Sequence, residues 1–188
     1  MPAFQLPHSL LTSAIPLSLF ECSSRVYGIV SIGIVMNLEI VLTPLQQEAA
    51  AGLLESLAVS PVVVLQGAAG SGKSTIFQAL CGLQGGTLLG AQHIPGIRQA
   101  HGPAAIEEAF FRMIEDALVE QDLVFVDDLT LVTDAARGGG HGRVHLLDAA
   151  LTAILAEARA LGKRLVFAAE EEVPWPIRRR ALIVRIGA

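Results

Sequence analysis

Eight consecutive residues constrain this chain more than any others: Gly67-Ala68-Ala69-Gly70-Ser71-Gly72-Lys73-Ser74. They come just after Val62 to Leu65, a β-branched run with no polar break, which is the pattern of a strand covered on both faces in a parallel sheet. A helical pattern from about Ser74 to Cys81 follows. A loop with this spacing, leading from a buried strand into a helix, matches the Walker A pattern completely. Its glycines permit backbone conformations that turn successive N–H groups inward, and the helix N-terminus adds positive potential at the same place. The expected phosphate cradle therefore comprises Gly67, Ala68, Ala69, Gly70, Ser71, Gly72, Lys73, Ser74 and Thr75. Lys73 is expected on the β- and γ-phosphates, the Ser74 hydroxyl on Mg²⁺ and Thr75 on the α-phosphate. ATP is the expected nucleotide in preference to GTP, because no guanine-reading Asn-Lys-x-Asp stretch is present.

A second carboxylate-bearing element supports this reading. Leu123 to Val126 is another buried strand pattern, and it ends in Asp127-Asp128, as a Walker B strand does. Asp127 is expected to hold Mg²⁺ through water. Asp128 stands where a base, often glutamate, would polarise an attacking water; being one methylene shorter, it implies slow hydrolysis.

The rest of the chain alternates helix and strand. Thr43-Pro44-Leu45-Gln46 carries an N-cap threonine, proline at the first helical position and Gln at the capping-box position. Leu45, Ala49, Leu53 and Leu57 then form one apolar stripe, which Ser60-Pro61 ends. A short strand is expected near Thr87 to Leu89, followed by a loop to Gly102. Pro103 opens a helix with Ile106, Phe110, Met113 and Ala117 on one face and Glu107, Glu108, Glu115 and Asp116 solvated. After the glycine tract at 138–140, a third helix carries Leu147, Leu151, Ile154, Ala158 and Leu161 and stops at Gly162. Leu165 to Ala168 is a fourth strand, Trp175 and two prolines mark a turn, and Ala181 to Ile186 is the last strand. Strands separated by helical crossovers imply an α/β, three-layer fold with a central parallel sheet.

Composition bounds the remaining possibilities. The 188 residues suffice for one ordinary domain. Mean hydropathy is high at +0.55, yet the longest nearly continuous apolar run, Val26 to Met36, is interrupted by Ser31 and falls short of the roughly 20 residues a membrane span needs. Residues 1–35 are almost uncharged and aperiodic, unlike the domain pattern that starts at Met36, and read as an atypical N-terminal extension, with a biological start at Met36 as one explanation. They lack the basic n-region of a secretory signal. Cys22 and Cys81 show no disulfide or metal-knuckle spacing, so a reducing cytoplasm is expected. The net charge of −5 argues against a constitutive nucleic-acid coat, while leaving a basic C-terminal patch able to contact nucleic acid. His141 and His145 have i, i+4 spacing with no carboxylate or cysteine to complete a zinc set. Gly138 to Gly142 reads as a mobile connection and Trp175 as a packed anchor.

The run Ala104 to Arg112, continuing through Asp127-Asp128 and Leu129-Thr130-Leu131, resembles the second helix and Walker B segment of AAA-type ATPases, and the similarity extends from about Met36 to the C-terminus. The resemblance implies a sheet order of 5-1-4-3-2, a polar sensor residue at the end of the fourth strand and an arginine finger before the fifth. Arg178, Arg179 and Arg180 stand where the finger would be. Glu170 stands near the sensor position in place of the usual Asn or Thr. Ala188 directly follows the fifth strand, which leaves no room for the helical lid, and Gln92 to His101 lacks the aromatic signature of substrate-threading pores. The implied function is that of a Mg²⁺-dependent ATPase core coupling its nucleotide state to a protein assembly, as a homo-oligomer or beside a partner ATPase subunit. A small-molecule or nucleotide kinase and a nucleotide-binding scaffold of low activity are the alternatives.

Overall fold

The computed structural model describes residues 40–95, 106–138 and 141–187, all within the compact unit Met36–Ala188. The expectations for residues 1–35, for Pro103, and for the glycines at 139 and 140 lie outside the described residues, as does the end of the loop to Gly102.

The first helix, α1 (Pro44–Val59), begins at the capping box legible in the sequence. Thr43 donates its backbone N–H to Gln46 Oε1 at 2.9 Å, and Gln46 returns its own N–H to Thr43 Oγ1 at 3.4 Å. Ala49, Ala50, Leu53 and Leu57 form the buried stripe. Leu45, assigned to that stripe from its spacing, is instead 56% exposed. At the other end Ser60 turns extended, and its hydroxyl donates to Val62 O at 2.8 Å, feeding the chain straight into β1.

Five strands follow the expected alternation: β1 (Val62–Gln66), β2 (Thr87–Leu89), β3 (Leu123–Val126), β4 (Arg164–Ala169) and β5 (Leu182–Arg185). Every pairing is parallel, and the order is β2-β3-β4-β1-β5, which read from the other edge is 5-1-4-3-2. The crossovers are α2 (Lys73–Gln84) between β1 and β2, and α3 (Ile106–Glu120) between β2 and β3. Two helices, α4 (Leu129–Gly138) and α5 (His141–Ala160), join β3 to β4, and the single turn α6 (Trp175–Arg178) precedes β5. Helix α4 was not anticipated: Leu129, Val132, Thr133 and Ala136 are buried at helical spacing, and Gly138 is its last residue rather than part of a connection. Likewise α6 replaces the turn expected at Trp175.

Because successive strand residues face opposite ways, the sheet has two cores. On one face Val63 and Leu65, Leu123 and Phe125, Val166 and Ala168 pack with the buried residues of α1 and with Ile76, Phe77 and Leu80 of α2. On the other, α3 and α5 supply Phe110, Met113, Leu147, Leu151, Ile154 and Ala158, all buried as the periodicity predicted. Two residues of these helices depart from it: Ala117 is half-buried, and Leu161, just past α5, is 49% exposed. The rings of Phe77 and Phe125 meet at 5.3 Å between centroids, 48° apart. That contact joins α2, whose first turn carries Lys73, to β3, which leads directly into Asp127. Phe125→Ala should therefore cost about 3–5 kcal/mol of stability, read as a lower denaturant midpoint with an unchanged m-value.

Candidate functional site

The Walker A segment leaves the sheet at the carboxyl end of β1. Gly67 donates its N–H to Ala169 O at 3.1 Å, carrying the chain past the end of β4, and Ser71 N–H closes a turn on Ala68 O at 3.2 Å. Gly70 (φ +75°) and Gly72 (φ +89°) are left-handed, a region closed to most side chains. Ile76 N–H then reaches Gly72 O at 3.0 Å and starts α2. Gly72 is the N-cap and provides no side-chain cap, so helix geometry leaves the amides of Lys73, Ser74 and Thr75 without intrahelical acceptors. These are the donors that bind an anion at a helix N-terminus.

Three further features fit this loop to a phosphate. A Cβ on Gly67 would come within 2.7 Å of Ser71 Oγ, so the loop closes tightly only with glycine there. Ser71 Oγ is itself buried with no hydrogen-bond partner, a state that costs about 1–3 kcal/mol unless a ligand satisfies it. Lys73, half-buried, arches back over the loop and donates from Nζ to Gly67 O at 2.8 Å and Ala68 O at 2.9 Å. Its ammonium is thereby held at the mouth of the cradle. Ser74 is exposed and Thr75 half-buried.

The sheet order places β4 between β1 and β3, so the loop and Asp127-Asp128 flank Ala169-Glu170, with all three at the carboxyl ends of parallel strands. Open α/β sheets bind ligands at that end. Asp127 N–H donates to Leu89 O at 2.7 Å, and Asp127 Oδ1 accepts the N–H of Asp128 at 3.0 Å. Asp128 is the sole described non-glycine residue with positive φ, +56°. Its Oδ2 accepts the N–H of Ala91 at 2.9 Å, tying it to the segment after β2. Sequence reasoning missed this bond, since it joins positions 37 apart.

Of the three arginines, Arg178 ends α6, and Arg179 and Arg180 follow it before β5. Each is exposed, and the guanidiniums of Arg178 and Arg179 lie 5.7 and 5.2 Å from the centroid of the Trp175 ring. Trp175 is 56% exposed, so it serves as a platform for cations and not as the packed anchor its type suggested. Leu182 pairs with Val63 and Arg185 with Gln66. Arg180, two residues before Leu182, is therefore level with the start of β1, at the end of the sheet opposite the phosphate loop. A cavity of about 520 Å³ brings Trp175 and Arg178 together with Gln66 and Arg185, the paired last residues of β1 and β5, and is lined also by Arg137 and Glu172 but by no residue of the loop 67–75.

Two carboxyls with displaced pKa values lie outside the site. Burial, reinforced by Glu157 and Asp116, raises that of Glu115 on α3. A hydrogen bond from Lys163 at 2.7 Å, together with its charge, lowers that of Asp122 before β3. Among the described residues no helix is long and apolar enough to cross a membrane, and no cluster of three His, Cys, Asp or Glu could hold a metal on its own.

No protein-family model matches the sequence, and no curated relative matches it. Solved structures do match. A DNA replication initiation factor aligns with a TM-score of 0.51 at 15% identity, over 79% of this chain and 48% of its own. Domain III of the Thermotoga maritima replication initiation protein DnaA gives 0.49 at 15% identity, over 78% and 64%. The Walker-type ATPase PABY2304 of Pyrococcus abyssi gives 0.46 at 17%, over 74% and 53%. The chain thus spans roughly half to two thirds of the length of these structures. At such identities the likeness is one of fold alone: an α/β, P-loop NTPase-like fold with an all-parallel five-stranded sheet in the order 5-1-4-3-2.

Proposed function

We propose that this chain binds ATP with Mg²⁺ and hydrolyses it slowly, coupling its nucleotide state to a protein assembly. The observation that carries the reading is the loop at Gly67–Gly72: two left-handed glycines, a buried Ser71 hydroxyl lacking a partner and a lysine ammonium held across the mouth. Lys73 and the amides at the start of α2 would bind the phosphates. Ser74 and Asp127 would hold Mg²⁺, whose role is to neutralise charge on the β- and γ-phosphate oxygens. Asp128 would orient the attacking water and accept its proton. A scaffold of low activity is the second reading, favoured by the Ala91 amide that already occupies one Asp128 oxygen.

The arginines fit a shared site. Arg180 is separated from the loop by the length of β1, some five residues at about 3.3 Å each, beyond the reach of its side chain. It lies before the edge strand β5, where it would be displayed to a neighbouring subunit. A trans arginine can accelerate phosphoryl transfer by about 10³–10⁵.

Lys73→Ala should weaken Mg-ATP binding by about tenfold to a hundredfold, the worth of a charge-assisted hydrogen bond, with the melting temperature unchanged. Calorimetry decides it, and unaltered affinity in the folded variant removes the nucleotide-binding reading. Asp127→Asn should impair Mg²⁺-dependent binding. Asp128→Asn, which retains an acceptor for Ala91 and tolerates positive φ, should keep affinity while slowing turnover by about 10²–10⁴. Absence of any wild-type hydrolysis, with none gained in Asp128→Glu, would establish the scaffold instead. Mixing Lys73→Ala protein with a triple Arg178/Arg179/Arg180→Ala protein should restore ATPase activity that neither shows alone. A monomer whose rate per chain ignores both concentration and the triple substitution overturns the shared site.

A further inference from the structure

The side chain of Gln46 has two separate duties. Its Oε1 completes the capping box of α1 by accepting Thr43 N–H at 2.9 Å. Its Nε2 donates to Ser71 O at 3.3 Å, across 25 positions of sequence, and so reaches the middle of the phosphate loop. The same nitrogen fills the space beside Gly72: a Cβ there would lie 2.0 Å from it. Gly72 is thus glycine for two reasons, its left-handed φ and the amide packed against it. Gln46 is half-buried, and α1 behind it is anchored by Ala49, Leu53 and Leu57 in the core shared with α2.

From these contacts we infer that Gln46 is a positioning residue for the phosphate loop, transmitting the fixed position of α1 to the Ser71-Gly72 turn. A donor on Ser71 O holds that peptide with its carbonyl toward α1. The following amide, on Gly72, belongs to the same turn from which α2 begins, so the bond orients the anion-binding end of the loop. Loss of the brace leaves the turn free to rotate about the two glycines at 70 and 72, which offer little resistance of their own. The inference rests on the proposed nucleotide binding for its functional consequence, but the bracing itself can be read without nucleotide.

The two duties can be separated by substitution. Gln46→Glu retains the capping acceptor and removes the donor; Gln46→Met removes both without adding charge; Thr43→Ala weakens the capping box and leaves the Ser71 contact alone. In hydrogen exchange without nucleotide, both Gln46 variants should speed exchange of the loop amides at 67–73 by roughly fivefold to tenfold, the worth of one hydrogen bond. Thr43→Ala should leave that exchange unchanged while lowering the melting temperature by a few degrees. In calorimetry both Gln46 variants should lose affinity for Mg-ATP and for inorganic tripolyphosphate by the same factor, because the brace acts on the phosphate cradle.

Unchanged loop exchange in both Gln46 variants overturns the inference. So does an identical response from Thr43→Ala, which would make the effect one of helix stability. Weakened ATP binding with full tripolyphosphate binding would show that Gln46 reads the base, and a loss confined to Gln46→Glu would show charge repulsion; either result also overturns it. A wild-type chain that binds no ATP defeats the proposed function, and the exchange measurement still decides whether Gln46 shapes the loop.

Discussion

Between Gln66 and Lys73 the chain must leave a strand buried on both faces and begin a helix that packs against one of those same faces. Val63 and Leu65 of β1 share their core with Ile76, Phe77 and Leu80 of α2, so the reversal is confined to six residues. Gly70 and Gly72 make it possible by taking left-handed conformations. A turn this tight, placed before a helix without a side-chain cap, leaves amide donors aimed at the space above the sheet. The phosphate cradle is therefore a consequence of how β1 and α2 must share a core. The surrounding elements serve to hold the two ends of that turn: Ala169 O receives Gly67, and Gln46 holds Ser71.

The same economy of placement governs the acidic side of the site. β3 lies two positions from β1, and its Phe125 ring against Phe77 fixes the distance between the lysine-bearing helix and the aspartates. At the end of β3 the chain must turn immediately into α4. Asp128 takes up that reversal with positive φ, a conformation aspartate tolerates better than bulkier residues. The Ala91 amide on its carboxylate holds it there. Asp128 is thus both turn residue and candidate base, and the geometry that suits one duty restrains the other.

Much of this was legible in residue types. The glycine spacing, the β-branched runs and the Thr43 to Gln46 box each follow from local stereochemistry, and the structure has them where the sequence puts them. What escaped depends on tertiary neighbours. Leu45 and Leu161 share the spacing of buried residues, yet lie where a helix begins or has just ended, and both are exposed. Trp175 is large enough to anchor a core, but two guanidiniums compete for its ring at the surface. Helix α4 did carry a readable signal in Leu129, Val132, Thr133 and Ala136, which recur at helical spacing before the glycines. The second bond of Gln46 had no signal at all, since a capping-box glutamine looks complete within its own turn.

The position of Arg180 bears on the kind of chemistry this fold can support. In a parallel sheet all the strand starts lie at one end and all the ligand-facing ends at the other. Arg180 lies in the turn two residues before β5 starts, and the phosphate loop leaves β1 at the finish. A chain built this way cannot close that arginine over its own nucleotide, as a kinase lid would, without dismantling the β1–β5 pairing that orders the strand. The arginine is instead displayed beside an edge strand whose residues Leu182 and Ile183 are themselves partly exposed. An edge that combines open backbone, apolar side chains and fixed cations is suited to contact with another chain. Under the proposed function, this geometry favours a site completed between subunits over one completed by a lid.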